Sequence, residues 1–330
     1  MKIKAGVIGL GRIGSQWDHG ELRGPPLTHV GAILQDEKFQ LCAVCDVDDG
    51  NREKFALEWK LDIPMYSSPS AMLEREKLDV ICVATPASSH YSIMKEAIAS
   101  EPNTIFCEKP YCSNASEAQE ICRLMKIHGV AVSVNYHRRW DERINVLKTQ
   151  VDSMPPPSHV EVVYGKGLLN YGSHIVNLLL LLFGPVSNVV SFPLSLHQKQ
   201  MDDPSVSSML TFESGLQVAL RGLDDVHYDL FDMDIYYPEM KVRLESGGYL
   251  FEVYEAVKDS RIKGYTHLRG NREKSSAGPI HGLKGAYKEI HDSVLNGISC
   301  RVSTAEAALQ TLKILDAMRA SSLNEKPIEL

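Results

Sequence analysis

The sequence predicts an α/β protein with two sheets: a doubly wound parallel sheet over residues 1–135 and an α/β domain with a mainly antiparallel sheet over residues 136–330. Three features carry this prediction. Short β-branched apolar runs alternate with helix-like stretches through the first third. A glycine-rich turn follows the first of those runs. Beyond residue 158, strand-like segments succeed one another at short spacing with turn residues between them.

In the first third, residues 4–8, 41–46, 80–84, 104–107 and 130–135 read as strands, and residues 51–59, 68–74, 89–99 and 114–128 as helices. In the last of these helices Ala118, Ile121, Cys122 and Met125 recur at three and four residues, an apolar helical face, with Asn114 or Ser116 as the cap. Strands that are apolar throughout belong in a parallel sheet, because the crossover helices cover both of its faces. From residue 158 the segments 159–164, 186–194, 206–212, 217–221, 230–237, 242–245 and 249–254 read as strands, with turn signals such as Glu213-Ser214-Gly215. A helix over 173–183 interrupts them, and helices over 283–295 and 304–323 close the chain. Met154-Pro155-Pro156-Pro157 is a stiff connector, and the polar, glycine-containing stretch 259–278 reads as a mobile loop.

Composition excludes several classes of function. The chain has 35 Lys and Arg against 42 Asp and Glu, a net charge of −7, which argues against nucleic acid or an anionic membrane as the main partner. Hydrophobic residues at 44% and charged residues at 23% are the balance of a soluble globular protein. The 7 cysteines are an odd, scattered set, and Cys42, Cys82 and Cys107 sit in apolar runs, so reduced thiols in a cytoplasmic protein are expected. Met1-Lys2-Ile3-Lys4 leads straight into a strand without a signal-peptide pattern. The most apolar segment, 175–183, falls far short of the roughly 20 residues that span a bilayer. The 12 histidines contain no His-x-x-x-His, and Cys107 to Cys112 is not a ligand spacing, so no metal site is expected.

Gly9-Leu10-Gly11-Arg12-Ile13-Gly14 directly follows the first strand. Alone the pattern is weak; after an N-terminal strand in a βαβ setting it indicates dinucleotide binding. Gly9 permits the tight turn, Gly11 lets backbone approach a pyrophosphate, and Gly14 lets the helix pack against the strand. Asp46, ending the second strand, suits the adenosine ribose hydroxyls and repels a 2′-phosphate, favouring NAD over NADP; an ordinary turn-initiating aspartate is the alternative. Asp46 lies farther from Gly14 than the roughly 20 residues usual for the fingerprint. The excess falls in residues Gln16 to Pro26, which cannot continue a regular helix. They read as a cofactor or substrate lid or as a neutral surface insertion, with a helix resuming near residues 27–35.

Two further segments bear chemistry. Ile105-Phe106-Cys107-Glu108-Lys109-Pro110 ends a strand with a charged pair and a proline. Ligands of parallel sheets collect at the carboxyl ends of the strands, which aims Lys109 at the cofactor crevice, and Lys-Pro is a place for a cis peptide. Asn170-Tyr171-Gly172-Ser173-His174 opens the apolar helix, where Asn170 and His174 share a face if both are helical. That pair suits handling of an alcohol; a satisfied helix-start histidine is the alternative.

With these residues in view, the chain resembles the Gfo/Idh/MocA oxidoreductases, the family of glucose-fructose oxidoreductase and inositol dehydrogenase. The likeness rests on the glycine turn, Asp46, Val83-Ala84-Thr85-Pro86 with His90, Glu108-Lys109-Pro110, Asn135 to Arg139, and Gly167 to Gly184. It implies a Rossmann domain for NAD over residues 1–135. Residues 136–330 would form a substrate-binding and oligomerisation domain with an open, mainly antiparallel sheet. The implied activity is oxidation or reduction of a sugar, cyclitol or nucleotide sugar at a secondary alcohol or ketone, by a homo-oligomer, a dimer or tetramer. By resemblance Lys109 is the catalytic lysine and His174 the histidine of an Asp-x-x-x-His motif. Gly9, Gly11, Arg12, Ile13, Gly14, Thr85, Pro86, His90, Glu108 and Asn135 serve the cofactor. Arg138 also falls at a position near the nicotinamide and substrate, and Tyr136, Arg138, Arg139, Asn170 and Tyr171 are candidate substrate contacts.

The sequence departs from the family pattern at two places: Asn170 stands where the motif has Asp, and Asn177 where a further Asp is frequent. An amide neither accepts a proton as a base nor raises the pKa of His174 by its charge, so proton transfer falls to His174 with Lys109. The same loss motivates the alternative of a cofactor-binding, non-enzymatic regulator or scaffold.

Overall fold

Apolar runs in the first part of the chain become the strands of a parallel sheet. The computed structural model describes residues 2–19, 26–195, 197–198, 201–223, 228–273, 282–298 and 300–330. It divides into two units, Met1–Trp140 with Ile280–Gln310, and Asp141–Pro279 with Thr311–Leu330. The first unit runs β1 (Ile3–Ile8), α1 (His29–Gln35), β2 (Phe39–Cys45), α2 (Asp49–Trp59), β3 (Met65–Tyr66), α3 (Pro69–Arg75), β4 (Val80–Val83), α4 (Ala87–Ala99), β5 (Thr104–Cys107), α5 (Ala115–His128) and β6 (Ala131–Val134). Its strands pair in parallel in the order β3-β2-β1-β4-β5-β6, the Rossmann arrangement, with the reversal of winding between β1 and β4. Helix starts are fixed by short polar side chains. Thr28, Asp48 and Asn114 accept hydrogen bonds from the N–H groups of Gly31, Asn51 and Glu117.

The second unit runs α6 (Glu142–Ser153), β7 (His159–Tyr164), α7 (Ser173–Phe183), β8 (Val186–Ser191), β9 (Ser208–Phe212), β10 (Gln217–Gly222), β11 (Phe231–Tyr236), β12 (Met240–Glu245), β13 (Leu250–Lys258) and β14 (Thr266–Glu273). Helix α8 (Gly282–Asn296) follows. Then α9 (Ala305–Asn324) begins in the first unit and continues into the second, ahead of β15 (Ile328–Glu329). The second sheet has the order β14-β13-β12-β11-β7-β10-β9-β8-β15 and is antiparallel except where β10 meets β7. Along β11, Phe231, Met233 and Ile235 are buried while Asp232, Asp234 and Tyr236 are not, the alternation of a sheet with one covered face.

The structure corrects one sequence expectation. Residues 266–273, read as part of a mobile loop, are strand β14, paired with β13 from Phe251↔Glu273 to Lys258↔Thr266. A hairpin at the sheet edge draws its backbone hydrogen bonds from the ladder and needs no apolar face, so polarity masked it. Helix α6 went unread although Asp141 caps it and Ile144 and Leu147 supply its buried stripe. Helix α8 returns to the first unit and buries Leu283, Ala286, Tyr287 and Ile290 with Val30, Ile33, Phe39 and Phe106. Among the described residues no helix is long and apolar enough to cross a membrane.

Candidate functional site

The glycine-rich turn lies at the carboxyl end of β1, where the winding reverses. Gly9 has φ +100°, and a Cβ there would come within 2.6 Å of the Ala84 carbonyl, so the turn is built from glycine because β4 ends against it. A Cβ at Gly14 would overlap the Gly9 carbonyl, whereas one at Gly11 would meet nothing within 4 Å. The tight contacts therefore face the sheet and the open side lies at Gly11, as a pyrophosphate requires. Residues Arg12–Gln16 form one wide turn rather than a long helix, with Arg12 exposed, Ile13 half-buried and Gly14 buried.

Asp46 follows β2, 9% exposed. Its Oδ2 accepts the N–H of Leu10 at 2.7 Å and the amide of Asn51 at 3.1 Å, and its Oδ1 accepts the N–H of Asp48 at 2.9 Å. The carboxylate thus ties the tip of β2 to the glycine turn. Arg52 donates to the Asp46 carbonyl at 2.5 Å, a cation beside that carboxylate that the sequence reading passed over.

The stretch Gln16 to Pro26 is described at its ends only; residues 20–25, and with them the proposed lid, lie outside the described residues. Asp18 binds the start of α1: its carboxylate accepts the N–H of Leu27 at 2.5 Å, the N–H of Thr28 at 3.2 Å and the Thr28 hydroxyl. A side chain at Gly31 would overlap that carboxylate. This clamp sets the start of α1 and so the place of His29.

His90 joins two turns of the crevice. Its Nε2 lies 2.6 Å from the carbonyl of Thr85, on the turn where Pro86 precedes α4, and its Nδ1 lies 2.9 Å from the carbonyl of Pro110. Burial holds its pKa below the ordinary value, although both carbonyls and the Glu108 charge favour the charged ring. The Lys109–Pro110 bond is cis.

Glu108 lies at the end of β5 inside a hydrogen-bonded cluster. Its Oε1 accepts the Asn135 amide at 2.6 Å and faces His29 Nε2 at 3.2 Å; the Lys109 N–H reaches its Oε2 at 3.3 Å. Burial opposes its charge, but His29 and Asn135 outweigh burial and lower its pKa. Asn135 is 4% exposed, and among the described residues its carbonyl Oδ1 has no hydrogen-bond partner, an acceptor that suits a carboxamide or hydroxyl donor.

Close to Lys109, burial and the positive charges of Arg138 and Lys109 hold His137 far below its ordinary pKa, so the ring is neutral. Tyr136 and Arg138 are buried beside it. Arg139 donates to the Val302 carbonyl at 3.2 Å, and burial lowers its pKa to about 10.

Asn170, Tyr171 and His174 belong to the second unit. Residues Gly167–Gly172 form a wide turn that continues into α7, with Asn170 exposed, Tyr171 half-buried and His174 buried. Asp203, absent from the sequence reading, builds this turn: its carboxylate accepts the N–H of Leu169 at 2.9 Å and that of Asn170 at 3.1 Å. Asn177 donates to the Thr311 hydroxyl at 2.9 Å and so ties α7 to α9. Among the described residues no group of three or more His, Cys, Asp or Glu could hold a metal ion.

A family model described as an oxidoreductase family with an NAD-binding Rossmann fold, GFO_IDH_MocA, matches residues 3–136. Over these residues the chain is similar to the NAD-binding domain of the Gfo/Idh/MocA oxidoreductases. Inositol 2-dehydrogenase of Pseudomonas fluorescens is 30% identical over 154 residues, 46% of this chain and 42% of that protein. D-apiose dehydrogenase of Paraburkholderia graminis is 23% identical over 333 residues, 92% of this chain and 86% of that one. With the first of its curated relatives the chain matches only about two fifths of their length. The crystal structure of the WlbA dehydrogenase from Bordetella pertussis, in complex with NADH and UDP-GlcNAcA, shares the fold with a TM-score of 0.77 at 19% identity, covering 100% of this chain and 99% of that one. In Gfo/Idh/MocA terms, the parallel unit of this chain is the NAD-binding Rossmann domain.

Proposed function

We propose that this protein is an NAD(H)-dependent oxidoreductase that interconverts a secondary alcohol and a ketone on a sugar, cyclitol or nucleotide sugar. The observation that carries this reading is the grouping of turns and polar side chains at the carboxyl ends of β1, β4 and β5. There the Gly9 turn, the Asp46 carboxylate and the buried Glu108–Asn135 pair adjoin the turn that bears Lys109. Relatives named inositol 2-dehydrogenase and D-apiose dehydrogenase support the polyhydroxylated substrate class.

In this reading Gly9, Gly11, Arg12, Ile13 and Gly14 receive the pyrophosphate, Asp46 the adenosine ribose, and Thr85, Pro86, His90, Glu108 and Asn135 the rest of the dinucleotide. Asp46 makes NAD the preferred cofactor over NADP, since a 2′-phosphate would meet its charge. A nicotinamide held there would supply hydride transfer at the carbinol carbon. His174 takes the hydroxyl proton on oxidation and gives it back on reduction; Lys109 donates a hydrogen bond to the same oxygen and stabilises alkoxide charge as it develops. Tyr136, Arg138, Asn170 and Tyr171 orient the substrate; Asn170 can both donate to and accept from a hydroxyl, and Arg138 suits a carboxylate or phosphate. Residues 1–135 hold the dinucleotide. Residues 136–330 hold the substrate and associate with further copies of the chain, in a cytoplasmic dimer or tetramer.

The test follows absorbance of the reduced nicotinamide while sugars, cyclitols and nucleotide sugars are screened in both directions. With a substrate in hand, Lys109→Ala and His174→Ala each lower kcat by roughly 10²–10⁴-fold. Full turnover in both variants overturns the assignment. NADH binding with silence across the screen favours the non-enzymatic regulator.

A further inference from the structure

His29 is fully buried, yet it is surrounded by groups that can bond it. Its Nε2 faces the Glu108 carboxylate at 3.2 Å and its Nδ1 faces the Tyr287 hydroxyl at 3.0 Å. That hydroxyl also lies 3.0 Å from Cys82 Sγ. Phe106 and Tyr287 pack edge-on against the ring, with centroids 5.1 Å and 6.1 Å away. A carboxylate only accepts hydrogen bonds, so Nε2 carries a proton. With Nδ1 protonated as well, the chain of donors runs from His29 to Tyr287 and on to Cys82, and every buried polar atom in it is satisfied.

Three parts of the chain converge here. The Asp18 clamp sets the first residue of α1, β5 delivers Glu108, and α8 delivers Tyr287. A positive ring in the first turn of a helix is unfavourable with respect to the helix dipole, so the position makes sense only with an anion beside it. Glu108 in turn holds the Asn135 amide and the backbone N–H of Lys109.

We propose that His29 is a positioning residue of the cofactor crevice: its ring, seated between Tyr287 and Glu108, fixes the carboxylate that orients the Asn135 amide and the Lys109 backbone. The proposal rests on the reading of Glu108, Lys109 and Asn135 as cofactor-site residues. It goes beyond that reading by assigning a role to a side chain in the core behind them. The ionisable groups facing the ring are Glu108 just after β5, Cys82 on β4 and Tyr287 on α8, with Lys109 next to Glu108 in the chain and Asp18 ahead of α1. Burial opposes a charged ring, but hydrogen bonding on the Cys82 side and the bond and charge of Glu108 prevail, and the His29 pKa rises to about 9.

The test is fluorescence titration with NADH from pH 6 to pH 8.5, on the wild type, His29→Gln and the double variant His29→Gln/Glu108→Gln, with circular dichroism to verify folding. The wild type is expected to bind with a flat pH profile. In His29→Gln the Glu108 carboxyl, buried without a cation, takes up a proton in the neutral range. NADH then binds about tenfold more weakly at pH 7.5, with an affinity that varies with pH. The double variant, with two neutral amides, regains a flat profile. Should His29→Gln fail to fold, ¹⁵N-histidine NMR of the wild type decides: a doubly protonated ring through pH 8 supports the role, and a neutral ring at pH 7 overturns it. Wild-type affinity and profile in His29→Gln overturn the proposal while leaving the cofactor reading intact. A wild type that ignores NADH removes both.

Discussion

The ring of His90 stands 2.9 Å from the carbonyl oxygen of Pro110, and on its other side 2.6 Å from that of Thr85. One buried side chain on α4 therefore braces the turn after β4 and the turn that carries Lys109. A neutral imidazole donates to only one of these carbonyls, and the other contact is held by packing. His90→Ala removes the brace. The expected result is a melting temperature several degrees lower and NADH affinity reduced by about tenfold, because buried polar contacts contribute about 1 kcal/mol each. Thermal denaturation and NADH fluorescence titration check this; unchanged affinity would show that the two turns hold their places without His90.

Gly9→Ala is expected to abolish NADH binding. Its φ of +100° strains any residue with a side chain, and the added methyl would press on the Ala84 carbonyl at 2.6 Å, which is backbone and cannot swing aside. Gly11→Ala makes the informative contrast. It meets no protein atom within 4 Å, so the fold is kept while the methyl intrudes where phosphate must approach. The pair is separated by melting temperature, lowered in Gly9→Ala and near wild type in Gly11→Ala, with binding weakened in both.

Asp46→Ser should shift cofactor choice. The carboxylate that repels a 2′-phosphate is gone, while Arg52, which donates to the backbone carbonyl at position 46, remains. The ratio of NAD to NADP affinity is expected to fall at least tenfold, measured by titrating both cofactors. A ratio that does not move would assign cofactor choice to other groups. Some stability is lost as well, since Leu10, Asp48 and Asn51 lose their shared acceptor.

Stability should depend on pH through the His29–Glu108 pair. The His29 pKa in the folded protein, about 9, exceeds its ordinary value of 6.5. Its contribution is therefore complete below pH 6.5 and disappears as the pH rises through 9. The Glu108 pKa is lowered, so its contribution holds above the ordinary carboxylate value and is lost as the pH falls through the folded one. At pH 6, His29→Gln should cost about 3–5 kcal/mol, the loss of a buried ion pair whose remaining carboxyl must take up a proton. The gap between variant and wild type should narrow above pH 9, where the wild-type ring is also neutral. Melting curves across this range read the effect directly, and a gap that stays constant would mean His29 is neutral throughout.

Much of this was legible in the chain itself. The βαβ rhythm, the glycine turn and Asp46 are local signals: a turn that needs φ > 0, a strand apolar on both faces, a carboxylate at a strand tip. The resumption of α1 after Gly14 was read within two residues, because Thr28 is a strong cap. The strand at 266–273 was not, since a polar edge strand has no side-chain signature beyond its partner. Neither was Asp203, whose carboxylate reaches Leu169 and Asn170 from more than thirty residues away.

By itself, then, the sequence determined the parallel sheet and the glycine turn of the dinucleotide-binding domain, because each is written in residues adjacent along the chain. Only the tertiary structure decided that His29, Glu108, Asn135 and Tyr287 form one buried cluster. These four come from α1, the end of β5, the end of β6 and the returning α8. No local spacing encodes such a meeting. Burial makes an isolated charge or hydrogen-bonding group costly, and the core resolves that cost by bringing together partners that the sequence keeps far apart.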